Sequence, residues 1–250
     1  MTQTGPRLCF VDVGTHAAQE YLALLGHGRA GYLRHYLRHR RRTRRKGATP
    51  MTWAAFRAFL ADTDALRAHR ARISYVMVEP NARLFALPVY RHANHAFNIA
   101  LSADPATASI LPLYFANDNK AGQGSSLFEA KPNVSLADFD LVLNVDAVHF
   151  ARGLQAALAR QDGGDGPVVL RINNEGAEVD VIHAFHAVFG TRLRAVMGSL
   201  NDVAKVRGRA ALSALHGWLA ERGIPFLPLH TDFATWPPAV AHLNRLLAEG

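Results

Sequence analysis

At 250 residues, 49% of them apolar and 19% charged, the chain can bury the core of one α/β domain and is too apolar to be disordered as a whole. The formal net charge of +8 points to an anionic partner, but the excess is local. Residues 26–72 hold thirteen Lys or Arg against two acids, Asp62 and Asp64, and the rest of the chain is slightly acidic. No apolar run approaches the roughly 20 residues that span a bilayer, and residues 1–6 lack the charged and apolar regions of a signal peptide. The single cysteine, Cys9, excludes an internal disulfide, so a reducing, cytoplasmic location is expected.

In chain order, residues 8–13 read as a buried strand. An acid and a glycine (Asp12, Gly14) then break the run before an alanine-rich helix at about 17–25. Strand, tight glycine turn and helix are how an open α/β sheet builds a nucleotide pocket beyond a strand's carboxyl end. After a glycine-rich break, residues 32–46 run basic with interleaved tyrosines. They read either as an arm for RNA, DNA, anionic glycan or headgroups, or as a solvated helix end. Thr49 as N-cap and Pro50 at the first helical position predict a helix reaching about Arg70, with Trp53, Phe56, Leu60 and Leu66 as its apolar stripe.

A second buried strand, 73–79, ends in Glu79. A carboxylate there can accept hydrogen bonds from both ribose hydroxyls of an adenosine-containing cofactor. Residues 95–102 predict a strand and turn, and 110–115 an edge strand carrying Pro112. Residues 116–127 form a polar, glycine-punctuated loop of the kind that carries ligand contacts. Strand 141–146 leads into an amphipathic helix ending near Arg160. Residues 161–167 are a loop. Strand 167–172 then delivers Asn173, Asn174, Glu175 and Glu178 to the same end of the sheet as Asp12 and Glu79. A helix over 179–189, a strand over 193–198, a helix from about 205 to 222 closed by Gly223, a strand over 224–229 and a terminal helix from Trp236 complete the pattern. Metal-ligand spacing, a Gly-x-Ser-x-Gly turn and a Walker-type loop are all lacking.

With these residues in order, the chain resembles the FkbM-type S-adenosylmethionine-dependent methyltransferases. That family's D-V-G-A-N-x-G-Q motif is matched by Asp12-Val13-Gly14-Thr15-His16-Ala17-Ala18-Gln19, and its E-P strand end by Glu79-Pro80-Asn81. Its N-x-A-L element is matched by Asn98-Ile99-Ala100-Leu101, its G-S-S-L stretch by Gly124-Ser125-Ser126-Leu127, and its K-I-D-V-E-G-A-E block by Arg171-Ile172-Asn173-Asn174-Glu175-Gly176-Ala177-Glu178. The resemblance covers nearly the whole chain except residues 26–72. Thr15-His16 stand for Ala-Asn, Arg171 for lysine, and Asn173 for the family's aspartate.

The resemblance implies one Rossmann-like class I methyltransferase domain over residues 1–250, a doubly wound α/β sheet with helices on both faces and a basic insertion at 26–72. It implies S-adenosylmethionine as cofactor, no metal, and methyl transfer to a hydroxyl of a sugar, lipid or polyketide-like small molecule. Asp12, Gly14, Thr15, His16, Gln19, Glu79, Pro80, Asn81, Asn98, Ala100 and Ser126 would bind the cofactor. Holding the reactants in line can supply up to ~7–11 kcal/mol of the barrier, and a carboxylate or histidine must take the hydroxyl proton. Glu175 and Glu178 are the first candidates for that, His16 the second, with Asn173 orienting the acceptor. Two alternatives stand beside this reading. One is a nucleic-acid-binding protein, with RNA methylation as one form of it, using residues 29–46. The other is a cofactor-binding homologue without catalysis.

Overall fold

The computed structural model describes residues 8–104, 106–117, 124–131, 133–162 and 164–249. Its strands are β1 (Leu8–Val13), β2 (Ile73–Val78), β3 (His95–Phe97), β4 (Ala100–Ser102), β5 (Ala108–Ala116), β6 (Val134–Asp146), β7 (Val168–Ile172), β8 (Leu193–Gly198) and β9 (Phe226–Pro228). The helices are α1 (Gln19–Tyr21), α2 (Arg29–Arg45), α3 (Trp53–Ala68), α4 (Ala82–Phe85), α5 (Ala147–Asp162), α6 (Glu178–Phe189), α7 (Asn201–Arg207), α8 (Arg209–Glu221) and α9 (Trp236–Glu249). A π turn, Leu22–Gly26, continues α1.

Six strands pair in parallel in the order β3-β2-β1-β7-β8-β9. Parallel sheets need both faces covered, and the three central strands meet that need: β1, β2 and β7 are buried at every residue. On one face Leu8, Phe10, Tyr75 and Met77 pack under α2, α3 and α9 through Tyr32, Tyr36, Phe56, Phe59 and Leu243. On the other, Cys9, Val11, Val76 and Leu170 pack under α5, α6 and α8 through Ala151, Phe185 and Leu219. The result is a doubly wound α/β arrangement, compatible with a Rossmann-like fold.

The chain winds outward from β1 to β3, then returns beside β1 at β7 and winds the other way. The crevice where strand order reverses lies at the carboxyl ends of β1 and β7, the place where open α/β sheets bind ligands. A smaller sheet, β4-β6-β5, flanks it. Pro112 lies on β5, an edge strand of that sheet, where a missing N–H breaks no ladder bond.

Several elements depart from the sequence reading, each for a local reason. Ala18 takes a left-handed backbone (φ 52°), so helix begins only at Gln19 and turns π after Tyr21. The N-cap of α3 is Thr52 and not Thr49: its hydroxyl accepts from the Ala55 N–H at 3.1 Å. Residues 95–102 split between two sheets, β3 pairing with β2 and β4 with β6. The helix expected over 205–222 is two, broken at Gly208 (φ +87°).

The basic segment is the largest correction. It is no appended arm but the crossover from β1 to β2, and its helices are one layer of the domain. The tyrosines interleaved with its arginines point inward: Tyr32 and Tyr36 are fully buried. Tyr36 stacks on Phe56 at 4.3 Å, and Tyr32 meets Phe59 edge-on at 5.1 Å. Such pairs contribute roughly 0.5–1.5 kcal/mol beyond the area they bury.

Candidate functional site

Three strand tips are tied together at the switch point. Gly14, just past β1, has φ +71°, and a Cβ there would lie 2.1 Å from the Asn173 carbonyl oxygen, so only glycine lets the β1 and β7 turns pass this close. The Gly14 N–H donates to the Val78 carbonyl (2.9 Å), and the Asn173 N–H to that of Val13 (3.0 Å). The Thr15 hydroxyl locks the turn by donating to the Asp12 carbonyl at 2.7 Å. His16 follows with φ 54°, which aims its N–H at Glu79 Oε2 (2.7 Å), while the Asn81 N–H reaches Oε1 (2.9 Å). Glu79 is thus held in place before any ligand arrives.

Above these turns lies a cavity of about 300 Å³, at the small end of the range for ligand sites. Of the residues singled out in the sequence, Gly14, His16, Gln19, Glu79, Pro80, Ala100, Ser126, Asn173 and Glu175 line it. Asp12, Thr15, Asn81, Asn98 and Glu178 do not, and each is occupied in holding the site. Asn81 caps α4, its Oδ1 accepting from the Arg83 N–H at 3.0 Å. Asn98 donates to the carbonyls of Glu79 (2.8 Å) and Pro80 (3.0 Å), fixing the tip of β2. Residues 118–123, part of the polar loop singled out in the sequence, lie outside the described residues.

Asp12, expected on the cofactor, instead faces a buried cation. Arg171 Nη1 donates to Asp12 Oδ1 at 2.9 Å and to the Gly14 carbonyl at 2.7 Å, and Nη2 pairs with Glu20 Oε1 at 2.7 Å. The Tyr75 hydroxyl donates to Asp12 Oδ2 at 3.2 Å. Burial works against the charge on Arg171, but Glu20 and Asp12 outweigh it and the guanidinium stays protonated. Burial likewise raises the Asp12 and Glu20 carboxyls against the pull of Arg171.

A second buried cation, Lys131, supports the β7 turn. Its ammonium pairs with Glu175 and donates to the Gly124 carbonyl at 2.9 Å. Ser126 Oγ donates to the Glu175 carbonyl at 2.7 Å, holding that residue in its left-handed backbone (φ 53°). Glu178, a first candidate for proton transfer, sits behind the turn and not at the cavity. It is fully buried, and Oε2 accepts from the Gly176 N–H at 2.8 Å.

Burial raises the Glu79 carboxyl to about 7, against the backbone N–H groups of Asn81 and His16 that favour its charge. Burial also raises Glu178 to about 7. Burial, aided by the Arg171 charge, lowers the His16 imidazole and keeps it neutral at physiological pH. Both its ring nitrogens, and Nε of Arg171, are buried without a hydrogen-bond partner among the described residues. Those orphaned groups in a cavity wall are where a ligand's polar atoms would be accommodated.

Sequence reasoning gave Arg171 no role and missed Glu20 and Lys131. Asn174, which the sequence places at the tip of β7, lines the cavity; Ser199 and Asn201 also line it and follow the tip of β8, so the strand-tip logic could have found them. His230 and Thr231 arrive from the loop after β9 with no local signal. Among the described residues, no cluster of His, Cys, Asp and Glu could hold a metal ion, and no helix is long and apolar enough to cross a membrane. Comparison of the chain with protein-family models, with curated proteins and with solved structures finds no match.

Proposed function

We propose that the chain is an S-adenosylmethionine-dependent O-methyltransferase of the FkbM type, acting on a hydroxyl of a sugar, lipid or polyketide-like small molecule. The supporting observation is a cavity at the sheet's switch point that brings together a glycine turn on β1, a pre-oriented buried carboxylate on β2 and an amide-rich turn on β7. Of the three carboxylates that line it, Glu20 is paired with Arg171 and Glu175 with Lys131, which leaves Glu79 without a cationic partner among the described residues to face a ligand.

When bound, the sulfonium cofactor would supply an electrophilic methyl group. Glu79 would hold its ribose: each carboxylate oxygen accepts one backbone N–H and keeps capacity for a hydroxyl. Pro80, Leu84 and Ala100 give an apolar wall for an adenine. The unpartnered Nε of Arg171 offers a donor to a carboxylate.

His16 is the chain's best proton acceptor for the substrate hydroxyl, being neutral, at the cavity wall and unpartnered at both ring nitrogens. Glu175 is the weaker candidate: burial raises its carboxyl against the pull of Lys131, but the ammonium is paired with the carboxylate that would take the proton. The Asn173 side chain makes no hydrogen bond among the described residues, leaving its amide to orient an acceptor. Among the described residues the buried tyrosines of α2 offer no platform for stacking bases, which weakens the nucleic-acid reading.

Calorimetric titration with S-adenosylmethionine, on the parent chain and on Glu79→Ala, tests the proposal. Binding in the parent that the mutant loses, with the mutant's melting curve retained, supports it. The same strand order serves dinucleotides, so NAD is titrated alongside. Heat with NAD and none with S-adenosylmethionine ends the methyltransferase reading.

A further inference from the structure

A second cavity, of about 390 Å³, lies between α2 and the loop that leads into α9. It is not isolated from the first: Gln19 and Thr231 line both. Its outer wall is cationic. Arg38 and Arg42 stand one turn apart on the same face of α2, and no carboxylate lies within ion-pair distance of either among the described residues. The one acid in the lining, Asp232, is engaged with His39 at 3.2 Å, a contact that ties α2 to the loop.

The inner wall is aromatic and fixed. The Trp236 indole N–H donates to the His230 carbonyl at 2.7 Å, and the rings of His35 and His27 lie 4.8 and 5.9 Å from it. Neither of those two imidazoles makes a hydrogen bond within the described chain, and burial lowers both, so they are neutral donor-acceptors at physiological pH. Two unpaired guanidiniums able to fork onto phosphate oxygens, over neutral imidazoles and a fixed indole, describe a site for a phosphorylated polar ring.

We infer that this basin is the acceptor subsite, and that the acceptor is a small phosphate ester, a sugar phosphate being the simplest, with Arg38 and Arg42 holding the phosphoryl group. Its role as acceptor subsite rests on the methyltransferase reading; the phosphate binding does not. Arg38 and Arg42 line the basin; Arg41 and Arg45 stand beside them along an adjoining groove of α2 and do not line it.

That difference in lining supplies the test. Binding of glucose 6-phosphate, glucose and inorganic phosphate is measured by calorimetry on three proteins: the parent, Arg38→Gln/Arg42→Gln, and Arg41→Gln/Arg45→Gln. Each double variant removes two charges from the same exposed helix, and melting curves confirm that both fold. Glucose 6-phosphate should bind the parent more tightly than either comparison ligand. Affinity should fall about tenfold or more in the first variant and by less than about twofold in the second, since only the first loses charge-assisted hydrogen bonds.

Equal weakening in both variants would reduce the effect to diffuse charge and overturn the inference. So would no binding to the parent, inorganic phosphate binding as tightly as the ester, or a single-stranded oligonucleotide bound more tightly and weakened equally by both pairs of substitutions. The S-adenosylmethionine titration is read separately. If it fails while glucose 6-phosphate still depends on Arg38 and Arg42, the cofactor reading falls and an anion site remains. If it succeeds while the ester does not bind, the cofactor reading stands and this inference falls.

Discussion

Glu79 offers the sharpest test because its geometry and its ionisation point to one number. The side chain is 5% exposed, each oxygen already accepts a backbone N–H, and burial raises the carboxyl to about 7. A ribose donates two hydroxyls and is held well only by the carboxylate. With the midpoint near 7, about nine-tenths of Glu79 is charged at pH 8 and about one-tenth at pH 6, so cofactor affinity should weaken about tenfold over that interval. Bound hydroxyls stabilise the charged form, so at pH 7 each binding event should release roughly half a proton. Calorimetry in two buffers of different ionisation enthalpy measures that release directly. The ligand's own α-amino group titrates near 8, and comparison with Glu79→Gln removes its contribution. Burial lowers the His16 imidazole, and the same comparison with Glu79→Gln removes its contribution. An affinity as tight at pH 6 as at pH 8, or a pH slope that survives in Glu79→Gln, would refute the ribose assignment.

Other substitutions test the frame that holds the site. Arg171→Met strands Asp12 and Glu20 in the interior and should cost about 3–5 kcal/mol; much of this should return when Asp12→Asn and Glu20→Gln are added, as read by chemical denaturation. Glu178 has a folded value near 7 against an ordinary 4.5, so its contribution to stability is fully present below 4.5 and is lost as pH rises through 7. Glu178→Gln should therefore match the parent's melting curve near pH 4 and exceed its stability at pH 8, by up to about 3 kcal/mol from the size of the shift; a mutant less stable at pH 8 would contradict this. Gly14→Ala meets both a positive φ and the Asn173 carbonyl. It should lower stability by more than the ~1 kcal/mol of an ordinary glycine replacement, and a wild-type melting temperature would show that the two turns can separate. Tyr36→Ala should cost about 3–5 kcal/mol as a core truncation; a neutral melting curve would return that ring to a surface role.

How much of this was legible in the sequence depended on whether the signal was local. The central strands were, because parallel strands covered on both faces read as unbroken apolar runs, and β1, β2 and β7 lie where those runs fall. Strand tips were legible too: an acid or glycine that ends an apolar run lies at the carboxyl end of its strand. Glu79, Gly14 and Asn173 came together through that logic alone. Partners across the sheet were not. Nothing near residue 171 announces that its guanidinium will reach Asp12 and Glu20, which are 159 and 151 positions away, because parallel pairing of β1 with β7 creates that neighbourhood. Asp12 was therefore assigned to a ligand when its charge was already committed to Arg171.

The basic segment failed for the opposite reason, that its local signal was strong and incomplete. Arginine density predicts solvent on one face of a helix and says nothing about the other face. The spacing of Tyr32 and Tyr36, four residues apart, marks a buried stripe, with His39 and Thr43 continuing along the same side. Once that stripe is docked on Phe56, Phe59 and Phe233, the arginines cannot act as a free arm. The helix that carries them is fixed, and of its arginines Arg38 and Arg42 line a cavity beside the candidate cofactor site while Arg41 and Arg45 do not. A charge run that looks diffuse along the chain is thereby sorted by the docking of the helix, which is why substitution of Arg38 and Arg42, in the cavity lining, can be compared with substitution of Arg41 and Arg45 beside it.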